Sequence, residues 1–191
     1  MSRAALAVVL LDFAAIGALP VVFFRRSDGF NLRWWATAIP FFLCPALLAA
    51  AFLGRLPGAP SCAALYPWQD VAPLLPAIGS VALIFLTLGT HQSRISLWHQ
   101  SQDRPERIVT AGAYRYIRHP FYTSFLLAFA AADLLLPHPA VLALSLYAFA
   151  LLLWTARGEE KRLSVSEFGS EYTAYVSRTG RFFPAFRRSR G

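Results

Sequence analysis

Charge is scarce in this sequence: 15% of its 191 residues are Asp, Glu, Lys or Arg, against 57% hydrophobic residues. A chain so poor in charge cannot cover the surface of an ordinary water-soluble domain, so its solvent is lipid. Cysteine is nearly absent as well. Cys44 and Cys62 are the whole complement, they lie in or near apolar stretches, and no CxxC or Cys/His grouping accompanies them. That excludes a zinc site and a disulfide framework and leaves two inert thiols. Amphipathic stripes are missing too: the apolar residues come in blocks of roughly 17 to 25, the length that crosses a bilayer. Internal repeats and low-complexity linkers are also missing, which predicts a single membrane domain with a cytoplasmic face. The net charge is +8. With no soluble basic domain to carry that charge, nucleic acid is excluded as a partner, and the arginines beside the spans meet membrane lipid instead.

Five spans are expected, over residues 4–24, 35–53, 71–88, 121–136 and 140–155. The fold class is therefore an all-α integral membrane protein of about five transmembrane helices, the only open-chain elements that satisfy every backbone group in lipid. Only Pro137, His138 and Pro139 separate the last two spans, which predicts a tight helical hairpin, since proline continues neither helix. Arg25, Arg26 and Arg33 follow span one, Arg55 alone follows span two, and Arg94, Arg104, Arg107, Arg115 and Arg118 follow span three. The tail adds Arg157, Lys161, Arg162, Arg178, Arg181, Arg187, Arg188 and Arg190. By the positive-inside rule the C-terminus is cytoplasmic and the N-terminus outside. Residues 1–24 read as a span, because Arg3 is the only basic residue before the apolar run and no small-residue cleavage site precedes Arg25. Richness in alanine and arginine points to the inner (cell) membrane of a prokaryote.

Two polar segments flank the hairpin on the same side, 106–122 (ERIVTAGAYRYIRHPFY) and 157–184 (RGEEKRLSVSEFGSEYTAYVSRTGRFFP). Because spans four and five run antiparallel, His119 and Tyr122 must lie near Arg157, Glu159 and Glu160. Ionisable groups gathered at a membrane surface are costly, and so suggest use. Each residue alone has a plainer reading. Arg118 and His119 read as interfacial anchors, Tyr114, Tyr116 and Tyr122 as an aromatic belt, and Glu159 to Arg162, Glu167 and Glu171 as a solvated helical face. His91, His99 and His138 lack partners at ligand spacing and read as structural, so no metal site is expected.

The ordered combination resembles the isoprenylcysteine carboxyl methyltransferase family and the related phospholipid N-methyltransferases, over about residues 90–184. Its carriers are Ile108-Val109, Gly112-Ala113-Tyr114, Arg118-His119-Pro120-Phe121-Tyr122, Glu159-Glu160, Phe168-Gly169, Glu171-Tyr172, Tyr175 and Thr179-Gly180-Arg181-Phe182-Phe183-Pro184. The resemblance implies a cytoplasmic C-terminal pocket for S-adenosyl-L-methionine lined by Glu106, Arg107, Ile108, Val109, Tyr114, His119, Pro120, Phe121, Tyr122 and Glu160. His99, Gln100 or Gln102 would also be in reach. A carboxylate and aromatic faces hold a sulfonium cation well, and an Ile-Val stretch suits adenine. Arg157 and Glu160 are the candidate catalytic residues, with the Arg157 fork orienting a substrate carboxylate. Arg157 precedes Glu160 by three residues, where the family's arginine precedes it by four. Glu106 stands where the prenylcysteine enzymes carry histidine, and Ser124 where many relatives carry glycine.

The implied function is methyl transfer to a lipophilic small-molecule or lipid-anchored substrate, with carboxyl O-methylation of an isoprenylcysteine-like compound as the leading case. Residues 1–89 would then form the substrate-access region and 90–191 the methyltransferase core. Asp12 and Asp133 fall within spans and would line the substrate path or face other helices. The alternatives are methylation of a lipid amine or small thiol, an NADPH-using membrane reductase, and a non-catalytic membrane protein of the same fold.

Overall fold

A computed structural model describes residues 2–22, 32–59, 67–90 and 108–185. The regular elements among them are all helical: α1 (Arg3–Val22), α2 (Leu32–Phe52), α3 (Leu74–Leu88), α4 (Pro120–Leu135), α5 (Pro139–Ser164) and α6 (Gly169–Val176), with 3₁₀ turns at Pro67–Asp70 and Gly112–Arg115. Helices α1 to α5 stand where the five apolar blocks were expected. Of these, Pro139–Ser164 is long and apolar enough to cross a membrane, while Ala36–Phe52, Leu74–Leu88 and Pro120–Leu135 are apolar but shorter. Helix α5 outruns its expected span by a further two turns. The residues after Thr155 include good helix formers such as Ala156, Glu159, Glu160, Lys161 and Arg162, with no proline among them, so the change from apolar to polar sequence does not end the helix.

Helix α3 lies mainly on α4, α1 on both, and α2 on α5. The buried face of α4 carries Ala128, Ala131 and Ala132 beside Phe129 and Leu135, small residues that let neighbouring backbones come close. Phe129 is 1% exposed and stands edge-on to Phe13 of α1 at 5.3 Å and to Phe41 of α2 at 5.1 Å between ring centroids. Leu75, Ile78, Phe85 and Leu86 of α3 and Leu142, Leu146, Phe149 and Trp154 of α5 face outward, the surface a helix bundle offers to lipid.

Two polar contacts fix the arrangement. Asp12 is buried in α1, and its Oδ1 accepts from the Ser80 hydroxyl of α3 at 2.8 Å. Asp12 therefore faces another helix. Its Oδ2 has no hydrogen-bond partner among the described residues. At the hairpin, Pro139 opens α5 and the His138 Nδ1 accepts from the Ala140 N–H at 3.2 Å, capping the helix. With Nδ1 an acceptor, Nε2 carries the ring proton and donates to the Pro57 carbonyl at 3.2 Å. His138 is thus a structural residue that ties the α2–α3 connection to the hairpin.

Phe129→Ala should cost about 3–5 kcal/mol of stability, the usual range for emptying a buried aromatic site. Thermal unfolding of purified protein in detergent should show it as a clearly lowered midpoint.

Candidate functional site

The site lies where the chain approaches α4, and the segment 179–183, after α6, is laid against that approach. Gly180 N–H donates to the Tyr116 carbonyl at 3.1 Å, Arg118 N–H to the Gly180 carbonyl at 2.8 Å, and His119 N–H to the Arg181 carbonyl at 3.1 Å. This short parallel pairing works as a strap. Thr123 Oγ1 on the first turn of α4 donates to the Phe182 carbonyl at 2.8 Å, and the Tyr175 hydroxyl donates to the Tyr114 carbonyl at 2.7 Å. Two glycines are required sterically. A Cβ on Gly112, which has φ of +57°, would meet the Thr90 side chain at 1.8 Å. A Cβ on Gly180 would sit 1.6 Å from the Phe183 carbonyl oxygen.

The strap and the α4–α5 hairpin bring five ionisable residues into contact around Glu160. Its Oε1 accepts from Arg118 Nε at 3.0 Å, Arg181 Nε at 2.9 Å and His119 Nε2 at 3.1 Å, and its Oε2 accepts from Arg181 Nη2 at 2.6 Å. Arg118 also donates from Nη1 to the Thr179 carbonyl. The neighbouring Glu159 is buried. Its Oε1 accepts from the Tyr122 hydroxyl at 2.5 Å, and its Oε2 lies 3.3 Å from His119 Nδ1. Both ring nitrogens of His119 therefore face carboxylates, surroundings that favour the doubly protonated imidazolium. It stacks on Tyr122, with centroids 5.3 Å apart and planes within 2°.

Burial alone would lower the His119 pKa, but hydrogen bonds and charge from Glu159 and Glu160 outweigh it and hold the ring above its ordinary value. Burial alone would raise that of Glu160, but His119, Arg181 and Arg118 outweigh it and hold the carboxyl well below its ordinary range. Tyr114 is held high by burial first, with the Tyr175 phenol and Glu159 adding to it. Burial is also the main cause that pushes the Tyr175 phenol up to about 12.

The hairpin thus joins His119 and Tyr122 to Glu159 and Glu160, as the antiparallel reading required. Tyr114 lies beside them on the 3₁₀ turn, and Pro120 is buried as the first residue of α4. Phe121 packs into the hydrophobic core. Ile108 and Val109 are half-buried. Arg157 is exposed on α5 and makes no ion pair among the described residues. Glu106, Arg107, His99, Gln100 and Gln102 lie outside the described residues. The sequence expectation put Glu159 in this convergence but gave neither Arg118 nor Arg181 a role at the site. The order Arg118-His119, Glu159-Glu160, Arg181 was visible, but the arrival of Arg181 depends on the chain reversing through α6, which no spacing rule gives.

Together the fold and the cluster define a helical membrane protein with a polar site at one end of its α4–α5 hairpin. Residues 75–165 match the model of the isoprenylcysteine carboxyl methyltransferase family. The chain is 32% identical over 124 residues to the cobalt-zinc-cadmium resistance protein CzcN of Cupriavidus metallidurans, covering 63% of this chain and 54% of that one. It is 34% identical over 116 residues to probable protein-S-isoprenylcysteine O-methyltransferases of Oryza sativa subsp. indica and subsp. japonica, covering 56% of each chain. The chain spans about half the length of these curated relatives.

Two predictions follow from the geometry. The Glu160 contribution to stability is complete above its ordinary value of 4.5 and is lost as acid protonates the folded carboxylate. The His119 contribution is complete below 6.5 and is lost as pH rises through the raised value. The destabilisation caused by Glu160→Gln should therefore be largest between pH 4.5 and 6.5 and shrink on both sides, as read from unfolding midpoints across pH. Gly180→Ala should unseat the strap, releasing residues 178–185 to proteolysis while far-ultraviolet circular dichroism still reports the helices.

Proposed function

We propose that the chain is an S-adenosylmethionine-dependent integral membrane methyltransferase acting on a lipophilic acceptor, with carboxyl O-methylation of an isoprenylcysteine-like compound as the leading reaction. The observation that carries this reading is the convergence of His119 and Tyr122 with Glu159 and Glu160 at one end of the hairpin, within a chain whose 75–165 stretch matches the family's model. The names of the rice relatives supply the acceptor class. Five crossings with a cytoplasmic C-terminus put this cluster on the side where a soluble cofactor arrives, while the acceptor enters from the bilayer between helices.

The residues present suit the cofactor chemically. The cluster offers guanidinium N–H donors beside aromatic faces, and the half-buried Ile108-Val109 pair offers apolar surface for a base. When bound, S-adenosylmethionine supplies an electrophilic methyl group. What the chain itself must do is hold the acceptor in line with that methyl and keep water out, which for a displacement at carbon is most of the catalysis. His119, Tyr122 and Tyr114 are assigned to positioning the cofactor, with Glu106, Arg107, Pro120, Phe121 and Glu160 completing its surroundings. Exposed Arg157, on the same helix as Glu160, is assigned to an anionic acceptor.

The reading is tested by incubating the purified protein with radiolabelled S-adenosylmethionine and a panel of prenylcysteines, lipid amines and small thiols. Label should pass to a prenylcysteine, and His119→Ala should reduce the transfer at least tenfold. Tight NADPH binding by calorimetry, with no response to S-adenosylmethionine, would end the methyltransferase reading in favour of a reductase.

A further inference from the structure

Glu160 has little acceptor capacity left for a ligand cation: three donors crowd its Oε1, and a fourth takes one side of its Oε2. A carboxylate offers about four lone-pair sites, and Glu160 already receives Arg118 Nε, His119 Nε2, Arg181 Nε and Arg181 Nη2. The charge balance points the same way. Arg118, Arg181 and protonated His119 are three cations, Glu159 and Glu160 two anions, and the difference is one positive charge. A sulfonium or ammonium brought to this hub meets donors and net positive charge, whereas an anion meets the opposite.

The two arginines differ in what they have left to offer. Arg118 is 9% exposed, and its Nε and Nη1 are committed to Glu160 and to the Val176 and Thr179 carbonyls. Arg181 is 31% exposed. Of the five N–H donors of a guanidinium, it uses one on Nε and one on Nη2 toward Glu160, and Nη1 has no partner among the described residues. The side chain is held in place through Glu160 and by the pairing of its own carbonyl with His119 N–H.

We propose that Arg181 forms a carboxylate-binding subsite: Glu160 orients the guanidinium, and the remaining N–H edge of Arg181 receives a ligand carboxylate. Glu160 is on this view a positioning residue and not the partner of the sulfonium. The subsite rests on the methyltransferase reading, in which a carboxylate is carried both by the amino-acid end of the cofactor and by a prenylcysteine acceptor.

The two sources are separated with Arg181→Gln and the charge-conserving Arg181→Lys, each checked for unchanged helical content. Calorimetry compares S-adenosylmethionine with its decarboxylated analogue, and kinetics gives KM for S-farnesylcysteine. If the cofactor is the source, Arg181→Gln weakens S-adenosylmethionine binding at least tenfold while the decarboxylated analogue binds variant and wild type alike. If the acceptor is the source, cofactor affinity holds and KM rises at least tenfold with little change in kcat. In either case Arg181→Lys recovers part of the loss. Equal losses with both cofactor forms, or no loss in either measurement, overturn the subsite and make Arg181 a tie between strap and helix. Wild-type protein that neither binds S-adenosylmethionine nor transfers label sinks the methyltransferase reading, and the subsite with it.

Discussion

The polar end of this molecule is organised by one carboxylate. Glu160 joins the approach to α4, the extension of α5 and the strap that follows α6, and it is the one carboxylate on which side chains from all three segments meet. Withdrawing such charges from water costs several kcal/mol per ion, and the attraction between them repays it only when every member is present and well directed. Removing one partner from a buried network leaves the others uncompensated, typically at about 3–5 kcal/mol. The cluster therefore behaves as a unit, and the loss of any one member is felt by the others.

The apolar helices deliver the cluster by a difference in length. At about 1.5 Å per residue, the 16 residues of α4 span about 24 Å. From Pro139 to Glu160, α5 spans about 33 Å on the same scale. The two helices are joined at the hairpin, so the carboxylates overshoot the start of α4. Side-chain direction closes part of the gap. Side chains lean toward the N-terminus of their own helix, which carries Glu159 back toward the hairpin and Tyr122 away from it. The overshoot that remains puts Glu160 level with Arg118, His119 and the strap, below the first turn of α4.

Much of this is legible in the sequence. The five apolar blocks, the proline-bounded hairpin and the approach of His119 and Tyr122 to Glu159 and Glu160 follow from span length and antiparallel direction alone. What is hidden depends on long-range closure. Arg181 reads as one more basic residue in a basic tail, and only the reversal through α6 brings it onto Glu160. Asp12 reads as an isolated polar residue in a span until α3 supplies Ser80. Arg157 has the chemistry expected of a substrate ligand, yet the helical rotation of about 100° per residue that points Glu159 inward leaves Arg157 at the surface. Residue type and spacing foretell which groups share a membrane face; which partners saturate each other is a tertiary fact.

That saturation bears on the acceptor. Histidine is the side chain best suited to take a proton near neutral pH, but both ring nitrogens of His119 face carboxylates that favour its already protonated form. Glu160 is held far below its ordinary range by the cations around it and is a weak base for the same reason. A site furnished in this way is poorly equipped to deprotonate a nucleophile. Methylation of an amine or a thiol releases a proton that some group must accept, whereas a carboxylate attacks as the anion it already is at neutral pH. On the proposed methyltransferase reading, the electrostatics of the described cluster therefore suit a carboxylate acceptor better than an amine or a thiol.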